Sequence, residues 1–372
     1  MTIFTYEKLY RAYLECRKNK RKTVNALKFE MDLENNLKTL LEELKNGTYF
    51  PGQSICFVVT VPKPREIFAA EFRDRIAHHL LVREIEEYFE KRFIHDSYAC
   101  RKGKGTHQAV ARLRHFLHKR ENHHAWQLKT DIKSFFVSID RNILYALAQK
   151  SILGRSEKEK QELNWLLQAI VFHNPAKNFR TKGQLKLFSL IPDHKSLIKQ
   201  KENKGLPIGN HSSQFFANVY MNELDQFVKR RLGCRHYIRY VDDFILISDD
   251  LRKLKAWKNE IEIFIAEKLK LSLSHQKTIL QPIARGIDFL GYFTKPNSIF
   301  PRRQVHKRYK DKLFRIAIGE CRTNLRYLQA MNNSYIGHFN FKGKFPAGIC
   351  NRFLAFTERA KLPASIPAVL NC

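Results

Sequence analysis

Six residues, Arg239-Tyr240-Val241-Asp242-Asp243-Phe244, set two adjacent carboxylates between apolar runs. Tyr237 and Ile238 precede them, and Phe244, Ile245, Leu246 and Ile247 follow. Two β-rich runs interrupted by a polar pair predict a hairpin with Asp242-Asp243 at or near its turn. Neighbouring carboxylates at an apolar tip repel each other, so stability alone does not place them there. A hard divalent cation removes that difficulty, because Mg²⁺ is held by one or two carboxylates plus substrate phosphates. Taken alone, the pair reads first as an ordinary Asp-Asp turn.

Upstream, Trp126-Gln127-Leu128-Lys129-Thr130-Asp131-Ile132-Lys133-Ser134-Phe135-Phe136 is a short strand-like run that ends in an acid and continues into aromatics. Two-metal phosphoryl transfer needs carboxylates converging from different segments, with the ions ~3.5–4 Å apart. Asp131 with Asp242 and Asp243 is such a set. The charge balance agrees with it. The 372 residues carry 67 Lys+Arg against 36 Asp+Glu, a net charge of +31. An excess of that size fits a polyanionic partner, with nucleic acid favoured over an anionic membrane. Hydrophobic content of 44% with 12% aromatics describes a globular chain.

No apolar run is long enough to span a bilayer, and the first residues lack the order of a signal peptide. Cys16, Cys56, Cys100, Cys234, Cys321, Cys350 and Cys372 are scattered without a Cys-x-x-Cys pair, which predicts reduced thiols in a cytoplasmic protein. His78-His79 and His123-His124 read as packing or surface residues and not as a zinc site.

Along the chain, residues 5–46 are predicted helical, with Leu33, Leu37, Leu40, Leu41 and Leu44 at helical spacing and Gly47 as the stop. The basic run at residues 18–22 is open between a solvated turn and a phosphate contact. A strand is predicted over 54–61, then the break Pro62-Lys63-Pro64-Arg65, then a helix over roughly 72–92. Residues 98–107 form a glycine-rich basic loop of the kind that suits phosphate oxygens. Helices are predicted to about 150, over 157–172 and over 251–269. Residues 173–205 read as a long basic loop holding Lys177, Arg180, Lys182, Lys186, Lys195, Lys199, Lys201 and Lys204. Gly205-Leu206-Pro207-Ile208-Gly209 is a tight turn before an amphipathic helix that runs to about Arg231. Beyond residue 300 there are 14 Lys/Arg against 3 Asp/Glu, on helices predicted over 304–332.

The Asp131 strand and the Tyr240-Val241-Asp242-Asp243 hairpin resemble the first and third catalytic motifs of reverse transcriptases, in the right order. Ile208-Gly209 with Ser213-Gln214 is similar to the pattern of diversity-generating retroelement enzymes and their bacterial antiphage relatives, where most reverse transcriptases carry glutamine at the Ile208 position. Tyr98-Ala-Cys-Arg, Lys104-Gly-Thr-His, Ser138-Ile-Asp-Arg141 and Gly286-Ile-Asp-Phe-Leu-Gly-Tyr292 fit the same lineage. The resemblance spans roughly residues 50–340.

It implies an α+β right-hand polymerase of fingers, palm and thumb with a ferredoxin-like palm core. Residues 1–50 would be a helical extension, 51–125 fingers, 126–300 palm with the basic insertion at 173–205, and 301–372 thumb and C-terminal segment. It implies RNA-directed DNA synthesis with two Mg²⁺, for which Mn²⁺ can substitute. Asp131, Asp242, Asp243 and the Ile132 carbonyl would hold the metals, and Lys277 would lie near the leaving pyrophosphate. Lys63, Arg65 and Arg101 would contact the triphosphate or template, and Phe136 would block a ribose 2′-hydroxyl. Ile208, Gly209 and Gln214 would border the nascent base pair. The implied partners are an RNA template, a DNA primer or product and deoxynucleoside triphosphates, with no membrane; a second protein or a second copy is left open. The length of the basic insertion favours copying a noncoding RNA in antiphage defence over mutagenic copying in a retroelement. A non-catalytic RNA-binding scaffold is the remaining alternative, and the intact acids, lysine and aromatic argue against it.

Overall fold

The computed structural model describes residues 2–18, 23–119, 124–320 and 324–341. Residues 19–22 of the basic run, His123, Cys321, Cys350, Cys372 and the C-terminal segment from 342 onward lie outside them. The elements in chain order are α1 (Tyr6–Arg17), α2 (Val24–Glu30), α3 (Leu33–Lys45), β1 (Ser54–Val59), β2 (Arg65–Ala69), α4 (Phe72–Glu90), α5 (Thr106–His118) and β3 (Trp126–Asp131). Next come α6 (Phe135–Ser138), α7 (Arg141–Gln149), α8 (Glu157–Val171), β4 (Phe179–Thr181), α9 (His211–Gln226), β5 (His236–Tyr240), β6 (Asp243–Ser248) and α10 (Leu251–Leu269). The chain continues through β7 (Ile279–Pro282), β8 (Ile287–Phe289), β9 (Tyr292–Lys295), β10 (Ser298–Pro301), α11 (Arg303–Ala317) and α12 (Leu325–Phe339).

Local chemistry accounts for many of these boundaries. Thr5 caps α1 by accepting from the Lys8 amide at 3.2 Å. Asp140 caps α7 by accepting from the Asn142 and Ile143 amides. Ser156 and Glu159 form a reciprocal capping box at the start of α8. In α3 the buried Leu37, Leu40, Leu41 and Leu44 repeat at helical spacing and make its inward face.

The residues divide into two compact units. The first comprises Met1–Lys102, Lys129–Ile245 and Lys255–Ile279. Its core lies where α4 packs against α1 and α9, and α9 against α7. The buried side chains there include Leu9, Tyr13, Ile76, Leu80, Leu81, Phe216 and Tyr220. The second unit comprises Gly103–Leu128, Leu246–Leu254 and Leu280–Cys372. In it β8, β9 and β10 form an antiparallel meander, with Phe289 opposite Tyr292 and Phe300 opposite Phe293. Tyr309 and Leu313 of α11 meet Met331 and Phe339 of α12 in a separate apolar cluster.

A four-stranded sheet has the order β5-β6-β3-β7. Helices α6 to α9 lie between β3 and β5, and α10 lies between β6 and β7. That is the strand order of a β-α-β-β-α-β fold, as expected. A three-stranded sheet has the order β2-β1-β4.

Strand β4 corrects one expectation. Residues 173–205 are not a structureless loop: they contain β4, which pairs parallel to β1, and three 3₁₀ turns. The segment shares an apolar core with β1, β2 and α6, because Phe179, Phe188 and Leu197 pack against Cys56, Phe68 and Val137. Its base is closed by one residue. Arg141 is buried, and its guanidinium donates to the Gly205 carbonyl at 2.8 Å and to the Phe172 and His173 carbonyls at 3.2 Å. The density of lysines hid this core, because the apolar residues are spread singly among them.

No disulfide joins Cys16, Cys56, Cys100 or Cys234. Among the described residues no helix is long and apolar enough to cross a membrane. His78 is buried on α4, and its Nδ1 lies 3.2 Å from the Ser212 hydroxyl of α9. Loss of solvent, aided by neighbouring His173, His79 and His211, lowers its pKa to about 3. The fold therefore excludes a proton that the unfolded chain binds below pH ~6.5. This contribution to stability is complete above that value and is lost as the pH falls toward 3. Between pH 7 and 5.5 the stability advantage of the native chain over His78→Asn is expected to shrink by about 1 kcal/mol. Urea unfolding of both proteins at the two pH values measures it, and an unchanged difference would show that His78 does not carry the linkage.

Candidate active site

The hairpin expected from the sequence is β5 and β6, joined at Val241-Asp242, so that Asp243 opens β6. Val241 has φ +56°, a left-handed conformation that costs a β-branched residue roughly 1–2 kcal/mol. Something must hold it, and Arg239 does. The Arg239 side chain is 0% exposed and all five of its N–H groups are engaged. One bond, 2.8 Å long, goes to the Val241 carbonyl at the turn itself. Two go to the carboxylate of Asp225 on α9, at 2.7 and 2.6 Å. The others reach Asn218 of α9 at 3.3 Å and the Ser97 hydroxyl at 3.0 Å. Tyr237 donates a further bond to Asp225 at 2.8 Å. A fully buried ion pair is tolerable only when its remaining donors and acceptors are filled, as these are. Arg239 also pairs through its backbone, since its amide donates to the Asp96 carbonyl and its carbonyl accepts from the Tyr98 amide.

Arg101 is tied into this scaffold. Its guanidinium grips Glu90 with three contacts of 2.8–3.1 Å and donates to the Ile94 and Ser97 carbonyls. With its side chain 7% exposed and its donors committed to Glu90, Ile94 and Ser97, Arg101 is not among the lining residues of the cleft that Asp242 borders. An arginine beside glycines looks like a phosphate contact in sequence. Glu90, eleven residues earlier on α4, is what removes it from solvent.

The three acids are each matched by positive charge. Asp131 is buried at the end of β3, and its Oδ2 accepts from the Lys277 ammonium. Asp243 lies 3.5 Å from the Lys129 ammonium. Asp242 is half-buried, and loss of solvent pushes its carboxyl up to about 6 against the opposing pull of Arg65 and Arg239. Among the described residues no three His, Cys, Asp or Glu side chains are grouped to hold one metal ion. Lys277 and Lys129 supply the positive charge that strand ends this acidic require. Asp131 Oδ1 is still buried and accepts no hydrogen bond, which leaves a hard oxygen donor of the kind a divalent cation takes. Ile132 lies opposite Leu273 in a pairing whose two bonds run Lys133 to Ser272 and Ser274 to Asp131, so the Ile132 carbonyl is unused in it.

A cleft in the first unit collects most of the other expected residues. Lys63, Arg65, Ile132, Phe136, Ile208, Asp242 and Lys277 all line it. Phe136 is half-buried and rests edge-on against buried Phe135, with ring centres 5.4 Å apart. The cations act on one another. Loss of solvent lowers the Lys277 pKa, and repulsion from Lys63, Arg65 and Lys129 lowers it further. Four cations held this close favour a polyanion.

Ile208 is set by its backbone, since its carbonyl accepts from the Phe68 amide of β2 at 2.8 Å. Gly209 follows with φ +130°, and a Cβ there would sit 2.7 Å from the Phe68 carbonyl, so only glycine fits. Gln214 is not among the lining residues. It is exposed on α9, and its amide oxygen accepts from the Cys100 thiol at 3.3 Å.

Sequence reasoning missed Lys129 as a partner of Asp243, Asp225 as the counter-ion of Arg239, and Lys195 and Glu66 on the cleft wall. Only Lys129 left a signal: it stands two residues before Asp131, hence on the same face of β3.

The family described as reverse transcriptase (RNA-dependent DNA polymerase) matches residues 61–293. Group II intron-encoded protein LtrA of Lactococcus lactis subsp. cremoris is 24% identical over 325 residues, covering 70% of this chain and 49% of that protein. The chain therefore spans about half the length of that relative. Protein YkfC of Escherichia coli strain K12 is 23% identical, covering 72% of this chain and 74% of that protein. Telomerase from Candida albicans, solved with a fragment of telomeric RNA, is 13% identical with a TM-score of 0.47, covering 86% of this chain and 61% of that one.

Removing one member of the buried pair should be far costlier than removing both. Arg239→Met alone is expected to lose about 3–5 kcal/mol, because it strands a buried carboxylate, and adding Asp225→Leu is expected to restore most of that loss. Denaturant unfolding of the three variants tests this, and a single substitution costing under about 1 kcal/mol would remove Arg239 as the anchor.

Proposed function

Because the chain belongs to the reverse transcriptase (RNA-dependent DNA polymerase) family, we propose that it extends a DNA primer along an RNA template, with the cleft around Asp242 as its active site. The observation that carries this reading is the Arg239 anchor, which spends a buried ion pair to fix the turn that bears Asp242. A turn that only reversed the chain would not need a left-handed valine held by an arginine.

In this reading Asp131 and Asp242 would hold the divalent cation, with the Ile132 carbonyl beside them. Two carboxylates suffice for Mg²⁺ when substrate phosphates complete its shell. The buried Oδ1 of Asp131 supports the fit. A bound cation supplies neutralisation of the phosphoryl oxygens and of the leaving pyrophosphate. Mg²⁺ is the ion proposed, with Mn²⁺ as a substitute.

The chain's own residues do the positioning, which is most of what phosphoryl transfer asks of a protein. Lys63, Arg65 and Lys277 bind the triphosphate. Phe136 closes the side where a ribose 2′-hydroxyl would enter. Ile208 shapes the pocket around the nascent base pair. The primer 3′-oxygen bonds to the α-phosphorus as the bond to pyrophosphate breaks. We keep fingers, palm and thumb as the assignment for residues 51–125, 126–300 and 301–372.

The template assigned is a dedicated noncoding RNA of an antiphage defence system, supported by the ordered basic segment at 173–205. Sequencing RNA that co-purifies with the chain decides it. A single noncoding species is expected; a template repeat would instead indicate a diversity-generating retroelement, and an intron RNA the setting named for the lactococcal relative.

Two substitutions test the chemistry. Asp242→Ala is expected to lower deoxynucleotide incorporation by roughly a hundredfold or more while leaving RNA affinity within about twofold. Near-native incorporation by a folded variant would sink the assignment of Asp242. Isoleucine at 208 offers no hydrogen bond and acts only by shape, and polar contacts reject wrong partners more strongly than apolar ones. Ile208→Gln is therefore expected to lower misincorporation on RNA. Identical error spectra in cDNA from both folded enzymes would take Ile208 out of selectivity.

A further inference from the structure

One lining residue of the cleft has no counterpart among the cations of β2 or of the segment before β7. Lys195 lies in the 173–205 segment, yet it borders the same cleft as Lys63, Arg65, Asp242 and Lys277. Its placement is built from buried groups. The Lys195 amide donates to the Pro192 carbonyl at 2.8 Å, closing a 3₁₀ turn. The next two residues, Ser196 and Leu197, are buried. Both are held by one carboxylate: Glu66 accepts from the Ser196 hydroxyl and, at 2.7 Å, from the Leu197 amide.

Glu66 is itself buried on β2, directly after Arg65. Both residues border the cleft, but Arg65 is exposed while the buried carboxylate of Glu66 clamps the segment. Leu197 then fills the space over Gly205, where a Cβ would lie 2.5 Å from its side chain. The Gln200 amide ties the turn again, donating to the Asp193 and Ser196 carbonyls.

Of the cations in the segment, Lys195 is the one among the lining residues of this cleft. Lys177 of the same segment is paired with Glu202. No carboxylate lies within ion-pair distance of Lys195, Lys63 or Arg65 among the described residues. Lys195, Lys63 and Arg65 share one cleft wall braced by a buried carboxylate, an arrangement suited to an arriving anion.

We propose that Lys195 is a triphosphate-binding residue contributed by the basic segment, and that Glu66 is the positioning residue that holds it there. This rests on the polymerase reading of the cleft and deepens it. The segment thereby acts on the incoming nucleotide and not only on a template.

The test is steady-state incorporation of dTTP on poly(rA) primed with oligo(dT), by the native chain, Lys195→Ala, Lys195→Arg and Lys186→Ala. Lys195→Ala is expected to raise KM for dTTP about tenfold, with kcat and affinity for the primed RNA within about twofold. Lys195→Arg is expected to restore KM, because arginine also binds phosphate. Lys186→Ala, on the exposed surface of the same segment, is expected to match the native chain. Glu66→Gln is expected to raise KM as Lys195→Ala does, and the double variant no further. Stabilisation of each folded protein against heat by added dTTP reads the same contact without turnover.

An unchanged KM in Lys195→Ala, with the native chain active, overturns the assignment and leaves the polymerase reading standing. A fall in primed-RNA affinity with KM unchanged overturns it in favour of a template contact. A native chain that neither incorporates nor is stabilised by dTTP overturns both readings.

Discussion

A guanidinium with no access to water is the constraint from which the rest of the first unit follows. Arg239 cannot be buried without Asp225, and the pair cannot be buried without Asn218, Ser97 and Tyr237 to complete its hydrogen bonds. Those partners come from α9, from β5 and from the stretch that runs beside β5. One side chain therefore fixes how three segments meet. What it delivers is small: a single bond to the Val241 carbonyl. That bond stabilises a backbone conformation that valine does not choose, and so aims the next residue, Asp242. Arg101 extends the scaffold outward, since the residue whose hydroxyl meets Arg239 has its carbonyl held by Arg101.

Around this rigid point the charges are organised by burial. Acids lie at strand ends with lysines against them, and further cations stand along the cleft wall. Loss of solvent first, and then that crowding, lower the Lys277 pKa. Such an arrangement is poor as an isolated structural element and apt as a receptor for phosphate, because an arriving polyanion relieves the repulsion instead of adding to it.

Much of this was legible from residues alone. The apolar runs around Asp242-Asp243 announced a hairpin, and the strand before Asp131 announced its neighbour in the sheet, because a short apolar run bounded by polar residues marks a strand buried on both faces. Ile208 and Gly209 were found because a tight turn before a helix leaves a clear composition. What was missed shares a cause. Arg101 and residues 173–205 were read from charge, and charge does not tell whether a counter-ion is eleven residues away or whether apolar residues between the lysines meet a common core. Asp225 and Glu66 were invisible for a related reason: a buried acid on a helix or strand looks like a solvated one until its partner arrives from elsewhere in the chain.

The bond from the Phe68 amide to the Ile208 carbonyl reaches beyond the turn it closes. Phe68 is three residues along β2 from Arg65, so the wall at Ile208 and the cation at Arg65 ride on one strand. Gly209 leaves no slack between them, since even a methyl group would strike the Phe68 carbonyl. Pocket shape and phosphate grip are thus geared together. A lineage drifting toward a looser or stricter copying habit could not alter one surface and spare the other, and its substitutions would be inherited in matched sets across two stretches of chain about 140 residues apart.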